Sequence, residues 1–148
     1  MYTTEKSKIV ELCKKHTELN EQEIALIIQK ANAIEELAEI FDCDVFIDVP
    51  LKNSTASLVV FHVMPVTKKS LYKKSPVGQP ALKVNEPGVW KVSRFGGDLK
   101  GYKAFTQENV FIRQNINSIT HGDKVLGTYI MERPFSETSE ESEEDEND

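Results

Sequence analysis

Residues 44–63, DVFIDVPLKNSTASLVVFHV, contain the change of period on which the fold turns. In 44–50 acidic and apolar residues alternate, with Val45, Ile47 and Val49 on one face and Asp44 and Asp48 on the other. That is the pattern of a half-buried strand. Pro50 to Ser54 make a turn. Residues 56–63 are apolar on both faces, as in a central strand covered on each side. The two segments form a hairpin. His62 lies in the second one; its plain reading is a hydrogen-bonded core or edge residue, and its alternative is a group facing a pocket.

Upstream the period is helical. Residues 4–17 place Ile9, Leu12, Cys13 and His16 on one face of a short amphipathic helix. Asn20 and Glu23 have capping-box spacing, and the helix they start is expected to run to about Phe41 without proline or glycine. Its stripe of Ile24, Ile27, Ile28, Ala31, Ile34, Ala38 and Phe41 is widened by Leu26, Ala33, Leu37 and Ile40. The surplus fits either a second partner, such as another subunit, or a helix sunk deep in the fold.

Downstream, residues 64–98 break the alternation. Four lysines surround Leu71 and Tyr72 in 68–79, followed by the turn residues Pro76 and Gly78. A helix is expected from an Asn85 cap, with Pro87 in its first turn and Gly96-Gly97 as its stop. Val89 and Val92 face inward. Strands follow at 100–105, at 109–119 with Val110, Ile112 and Ile116 on one face, and at 124–131. His121-Gly122-Asp123 makes the last two an antiparallel hairpin. The whole is an α+β domain on one antiparallel sheet of about five strands, with two N-terminal helices and a helix-containing crossover of about forty residues. A segment of that length inside a domain either is disordered or covers a binding cavity.

The formal charge of −6 conceals segmentation. Residues 1–65 carry six bases and eleven acids, 66–103 nine bases and two acids, 104–135 three of each, and 136–148 eight acids and no base. The last segment is too polar to offset chain entropy and reads as a disordered tail or linker, leaving 1–135 as the domain. No run approaches the ~18 apolar residues of a membrane span, and the N-terminus lacks signal-peptide character, so the expected location is the cytoplasm. Cys13 and Cys43 have no metal-ligand spacing and read as small buried hydrophobes.

No catalytic constellation is legible. His16, His62 and His121 fall on a helix, a strand and a turn, away from any nucleophile context. Gly96-Gly97 and Gly101 lack the GK[ST] ending of a phosphate loop. The carboxylates show no paired spacing that would mark an acid and a base. No enzyme activity, metal or cofactor is expected. The basic segment admits phosphate contacts with stacking on Tyr72, Trp90 and Tyr102, but its plain reading is a solvated face, and the acidic first third opposes a nucleic-acid partner. The same segment can instead enclose a small ligand, with Phe61, Tyr72, Trp90 and Tyr102 as candidate walls; ordinary core is the plain alternative. Arg113, Asn115 and Asn117 share a strand face with Phe111, and either converge on that ligand or tie the crossover to the sheet.

Residues 70–79 (SLYKKSPVGQ), 85–89 (NEPGV) and 106–115 (TQENVFIRQN), with Gly122 and the strand VLGTYIMER, resemble the N-terminal sensor region of cytosolic bacterial sensor histidine kinases. Among these, the resemblance is to the ethanolamine-utilisation sensor kinases of Gram-positive bacteria, and it spans about residues 22–133. The matching positions are Ser70, Leu71, Tyr72, Gly78, Asn85, Glu86, Pro87, Gln107, Glu108, Arg113, Gln114 and Asn115, while Trp90 departs from the small or aliphatic residue of the pattern. The resemblance implies a GAF-like domain preceding a PAS domain or a kinase core that signals to an RNA-binding response regulator. No phosphoacceptor helix or ATP-binding box follows Arg133, so the chain is expected to be the input domain, with the acidic tail as the link to the kinase core. A homodimer through the N-terminal helices and a small-molecule ligand at Phe61, Tyr72, Trp90, Tyr102, Arg113 and Asn115 complete the expectation. The alternative is a free-standing interaction protein whose basic crossover is gated by the acidic tail.

Overall fold

The computed structural model describes residues 2–106 and 108–135. The acidic tail and Gln107 lie outside them. In chain order the elements are α1 (Lys6–His16), α2 (Glu21–Ile34), α3 (Leu37–Phe41), β1 (Asp44–Pro50), β2 (Ser57–Val63), β3 (Pro80–Ala81), α4 (Pro87–Phe95), β4 (Asp98–Phe105), β5 (Phe111–His121) and β6 (Lys124–Pro134). The strands form one antiparallel sheet in the order β3-β2-β1-β6-β5-β4. The α+β architecture read from the sequence is present, with six strands in place of about five. The additional one, β3, has two residues, too few to leave a periodic signal.

The sheet is sandwiched. On one face α1 and α2 seat Ile9, Leu12, Ile24, Ile27, Ala31 and Ile34 against Val45, Ile47, Val49 and Phe61. On the other, α4 and the crossover pack Val89, Val92 and Tyr72 against Phe46, Val59, Ile116 and Ile130. The helices start and stop where side-chain chemistry places them. Asn20 and Glu23 form a complete capping box, Pro87 stands in the first turn of α4, and Gly96 ends α4 at φ 76°. Gly88 lets α4 lie close: a Cβ there would come within 2.7 Å of Ile116 Cδ1 and Tyr102 Cδ2.

Four local expectations are corrected. The helix expected to run unbroken to Phe41 is interrupted by a turn at Glu35-Glu36, beyond which Ala38 is buried while Ile40 and Phe41 stay exposed. The predicted Asn85 cap gives way to Glu86 at the N-cap position of α4. Val110 precedes β5 and is exposed, whereas Ile112 and Ile116 are fully buried. Most consequentially, Asp44 and Asp48 do not face solvent. Both are buried, because the crossover and α4 cover the face that alternation marks as polar.

Candidate functional site

The buried polar groups gather beneath the crossover. In β1, Asp44 and Asp48 flank Phe46 on one face, and a bulge in β2 brings His62 to the same side. Register pairs Ile47 with Phe61 and Asp48 with Val59, so Val60 is the extra residue, and Val60 and Phe61 both turn toward the helices. β6 contributes Thr128, paired with Asp48, and Glu132, which pairs with Gln114 of β5. Glu86 comes from the start of α4. Its side chain makes no helix cap and reaches Gln114 instead.

The outer half of this cluster is fully partnered. Asp44 accepts from His62 Nε2 at 2.7 Å, from the Ser70 hydroxyl at 2.7 Å and from the Leu71 amide at 2.9 Å. His62 Nδ1 is hydrogen-bonded to the Ser75 hydroxyl at 2.9 Å. The imidazole stacks on Phe46, ring centroids 4.2 Å apart. A buried carboxylate thereby fastens the crossover at Ser70 and Leu71, and through the imidazole at Ser75. Asp42 repeats the device at the surface, accepting from the backbone amides of Thr67 and Lys68 and from the Thr67 hydroxyl.

The inner half is acidic and incompletely satisfied. The Tyr72 hydroxyl donates to Glu132 Oε1, and Gln114 Nε2 bridges Glu132 Oε2 at 2.8 Å and Glu86 Oε1 at 2.9 Å. Asp48 is 2% exposed, yet neither of its carboxyl oxygens has a hydrogen-bond partner. Burial pushes the carboxyls of Asp48, Glu86 and Glu132 up to about 8. Mutual repulsion adds to it, from Glu132 on Asp48, Asp48 on Glu86 and Glu86 on Glu132. The three carboxyls, Tyr72, Phe46, Val59, Pro76 and Ile130 line a small cavity of about 10 Å³. That is room for one water-sized species. Glu132 also borders an open groove of about 940 Å³, together with Ile40, Cys43, Lys68, Leu71 and Arg133.

The sheet divides the ligand candidates proposed from sequence. Tyr72 lines the cavity. Tyr102 packs on the same side, against the cluster of Phe46, Ile116 and Ile130. Trp90 belongs to α4 and is half-buried, with Lys83 Nζ 3.9 Å from its ring centre. Phe61 lies among the helix-side residues. Arg113 and Asn115 share a face with their cross-strand neighbours Arg133 and Met131, opposite Gln114 and Glu132. They hold the irregularity in β4: Arg113 Nη1 donates to the Gly101 carbonyl at 2.6 Å, and Asn115 Oδ1 accepts from the Gly101 amide at 2.8 Å. These bonds hold the Gly101 end of the basic segment 66–103 to β5. All nine bases of 66–103 are exposed, as a solvated face requires.

Sequence reasoning missed Asp48, Glu86, Gln114 and Glu132 as a group. One signal was available. Phe46 stands between Asp44 and Asp48 on the face assigned to solvent, and Ile130 stands beside Glu132 in the same way; an apolar residue between acids indicates a covered face.

Among curated proteins none matches this sequence. Similar solved structures include the following two. One is described as the sensor region of a sensor histidine kinase, with 17% identity and a TM-score of 0.65 over 86% of this chain. The other is the ligand-binding domain of the Campylobacter jejuni chemoreceptor Tlp3 in complex with 4-methylisoleucine, with 13% identity and a TM-score of 0.45 over 89% of this chain. The chain spans 42% and 50% of their respective lengths. The sequence pattern of a family described as "Histidine kinase PdtaS, GAF domain" matches residues 9–148.

Proposed function

The chain belongs to the GAF-domain family of the histidine kinase PdtaS, and from that membership we propose that it is the signal-input domain of a cytoplasmic two-component sensor kinase. The matched region is a GAF domain, not a kinase core, so phosphotransfer is not the work of this chain. The observation that carries the reading is the crossover fastened over a small polar cavity, with Tyr72 bonded to Glu132 and Ser70 and Leu71 bonded to Asp44. A ligand bound beneath it biases the kinase only by binding one of the kinase's states better than the other.

The finer assignment, to the ethanolamine-utilisation sensor kinases with an RNA-binding response regulator downstream, rests on the segments 70–79, 85–89 and 106–115. Residues 1–135 act as the sensor and 136–148 as the connection to the kinase core. A homodimer through the helical face is part of the same proposal, supported by Ile40 and Phe41, 65% and 47% exposed. Deleting the helices would not test it, because α1 and α2 form half of the core; the double substitution Ile40→Glu with Phe41→Glu, read by mass in solution, does.

The test of the main reading is the gene itself, followed by kinase assay. The reading frame is expected to continue past Asp148 into a kinase core. Autophosphorylation of that polypeptide is expected to change with Glu132→Gln. A frame without a kinase core, or a rate unmoved in a folded variant, overturns it.

A second reading has one observation in its favour. Lys68, Lys69 and Arg133 line the open groove beside the point where the described chain ends at Phe135 and the eight-acid segment begins. An interaction protein gated by its own tail would show salt-sensitive amide shifts in 66–103 when 136–148 are removed; a passive link leaves them in place.

A further inference from the structure

We propose that the outer face of α4, with the turn before it, docks on an anionic phospholipid membrane: Val84, Trp90 and Phe95 enter the interface, and Lys83, Lys91 and Arg94 meet the headgroups. This surface lies on the side of α4 away from Val89 and Val92, which pack on the sheet.

Three observations converge. First, apolar side chains project where the core has no use for them. The Leu82 carbonyl accepts from the Asn85 and Glu86 amides, which makes Lys83 and Val84 the centre of a turn. Gly, Asn, Asp and Ser are the usual residues of such a turn, yet Val84 stands there 81% exposed. Phe95, the last residue of α4, is 72% exposed. Second, Trp90 joins the turn to the end of the helix. Its ring centre is 6.0 Å from that of Phe95 and 3.9 Å from Lys83 Nζ, and the guanidinium carbon of Arg94 lies 5.5 Å from it. Third, the charge is one-sided. From Ala81 to Gly97 the bases are Lys83, Lys91 and Arg94, all exposed. The one acid of that stretch, Glu86, is buried and bonded to Gln114.

The chemistry selects the occupant. Cations on long apolar stems around a tryptophan, with aliphatic and phenyl groups standing clear of the surface, match the layer in which lipid phosphates lie above acyl chains. A protein partner would have to offer a complementary recess to each projecting side chain, whereas a fluid interface accepts them singly. A single strand of nucleic acid would stack on Trp90 and pair its phosphates with the cations, but would leave Val84 in water. The wider segment 66–103, with nine bases and two acids, adds attraction at longer range. Among the described residues no helix is long and apolar enough to cross a membrane, and a surface contact of this kind needs none.

Trp90 is the sole tryptophan of the chain, so its fluorescence reports this surface directly. The experiment titrates the full chain with vesicles of phosphatidylcholine alone and with vesicles in which a third of the lipid is phosphatidylglycerol, reading emission, acrylamide quenching and co-sedimentation. With the anionic vesicles a blue shift and shielding from acrylamide are expected, and binding about tenfold tighter than to the neutral ones. Lys83→Gln with Arg94→Gln is expected to weaken binding about 25-fold, roughly fivefold for each cation removed. Val84→Ser with Phe95→Ser changes two exposed positions outside the core, and is expected to abolish the blue shift and the sedimentation. Absence of binding to the anionic vesicles overturns the proposal, as does binding that the Val84→Ser, Phe95→Ser pair leaves unchanged. Tighter binding to polyuridylate than to the vesicles overturns it in favour of a nucleic-acid surface.

Discussion

The Tyr72 hydroxyl donates to Glu132 Oε1 across a separation of 60 residues, joining the crossover to the last strand. Tyr72→Phe keeps the ring against Phe46 and removes only that bond. Leaving a buried carboxyl short of a donor costs about 1–3 kcal/mol. Urea unfolding is expected to show a loss in that range, and a double-mutant cycle with Glu132→Gln should be non-additive. A loss under about 0.5 kcal/mol, with additive behaviour, would mean the bond does not hold the lid.

Stability is expected to fall as pH rises. Asp48, Glu86 and Glu132 have folded pKa values of about 8, above their ordinary values of 3.8 for Asp and 4.5 for Glu. The folded state thus binds more protons than the unfolded one between about pH 4 and 8. The stabilisation is fully present below the unfolded values and is lost as pH rises through 8. Melting temperature from pH 5 to 9 should decline, and the slope should flatten in Asp48→Asn, which has no charge to desolvate. A wild-type profile that is level, or that rises, contradicts the burial of ionisable carboxyls here.

Asp44 is the latch of the crossover. Asp44→Ala strands the donors of His62, Ser70 and Leu71, whereas Asp44→Asn keeps one acceptor oxygen. Hydrogen exchange in 67–75 is expected to accelerate most in the alanine variant, with β5 and β6 amides protected as before. Uniform acceleration across the sheet would make Asp44 a general core residue.

Gly88→Ala tests the seating of α4. The added methyl meets Ile116 and Tyr102 at 2.7 Å, and overpacking of this kind costs about 1–3 kcal/mol. Denaturant titration should show that loss; a neutral substitution would mean α4 lifts freely from the sheet.

The cysteines are expected to be inert in the native state. Burial pushes both thiols up to about 11, leaving little thiolate at neutral pH. Alkylation should follow unfolding in rate, and labelling of Cys43 that outpaces unfolding would reveal opening of the groove it borders.

Much of the architecture was legible because it is written in local chemistry. The Asn20–Glu23 capping box, Pro87, Gly96 and the Gly122 turn each act on neighbours a few residues away, and the 3.6- and 2-residue periods report burial along a single element. Among the aromatics of the crossover Tyr72 lines the cavity and Trp90 does not, a difference that local sequence does not carry.

The site was not legible because its making is non-local. Alternation says that Asp44 and Asp48 share a face, and it is correct; it is silent on what covers that face. The cover is residues 64–95, and it turns a polar edge into a desolvated cluster with Glu86 and Glu132. The bulge at Val60 acts likewise. Simple period-2 counting pairs Phe61 with Val59 and His62 with Val60, but the extra residue sends Phe61 to the helices and His62 to Asp44. The sequence by itself thus determined the elements, their order and the charge segments, since those depend on near neighbours. Only the tertiary structure decided which acids lose water and meet one another, because desolvation and repulsion are set by what lies across space.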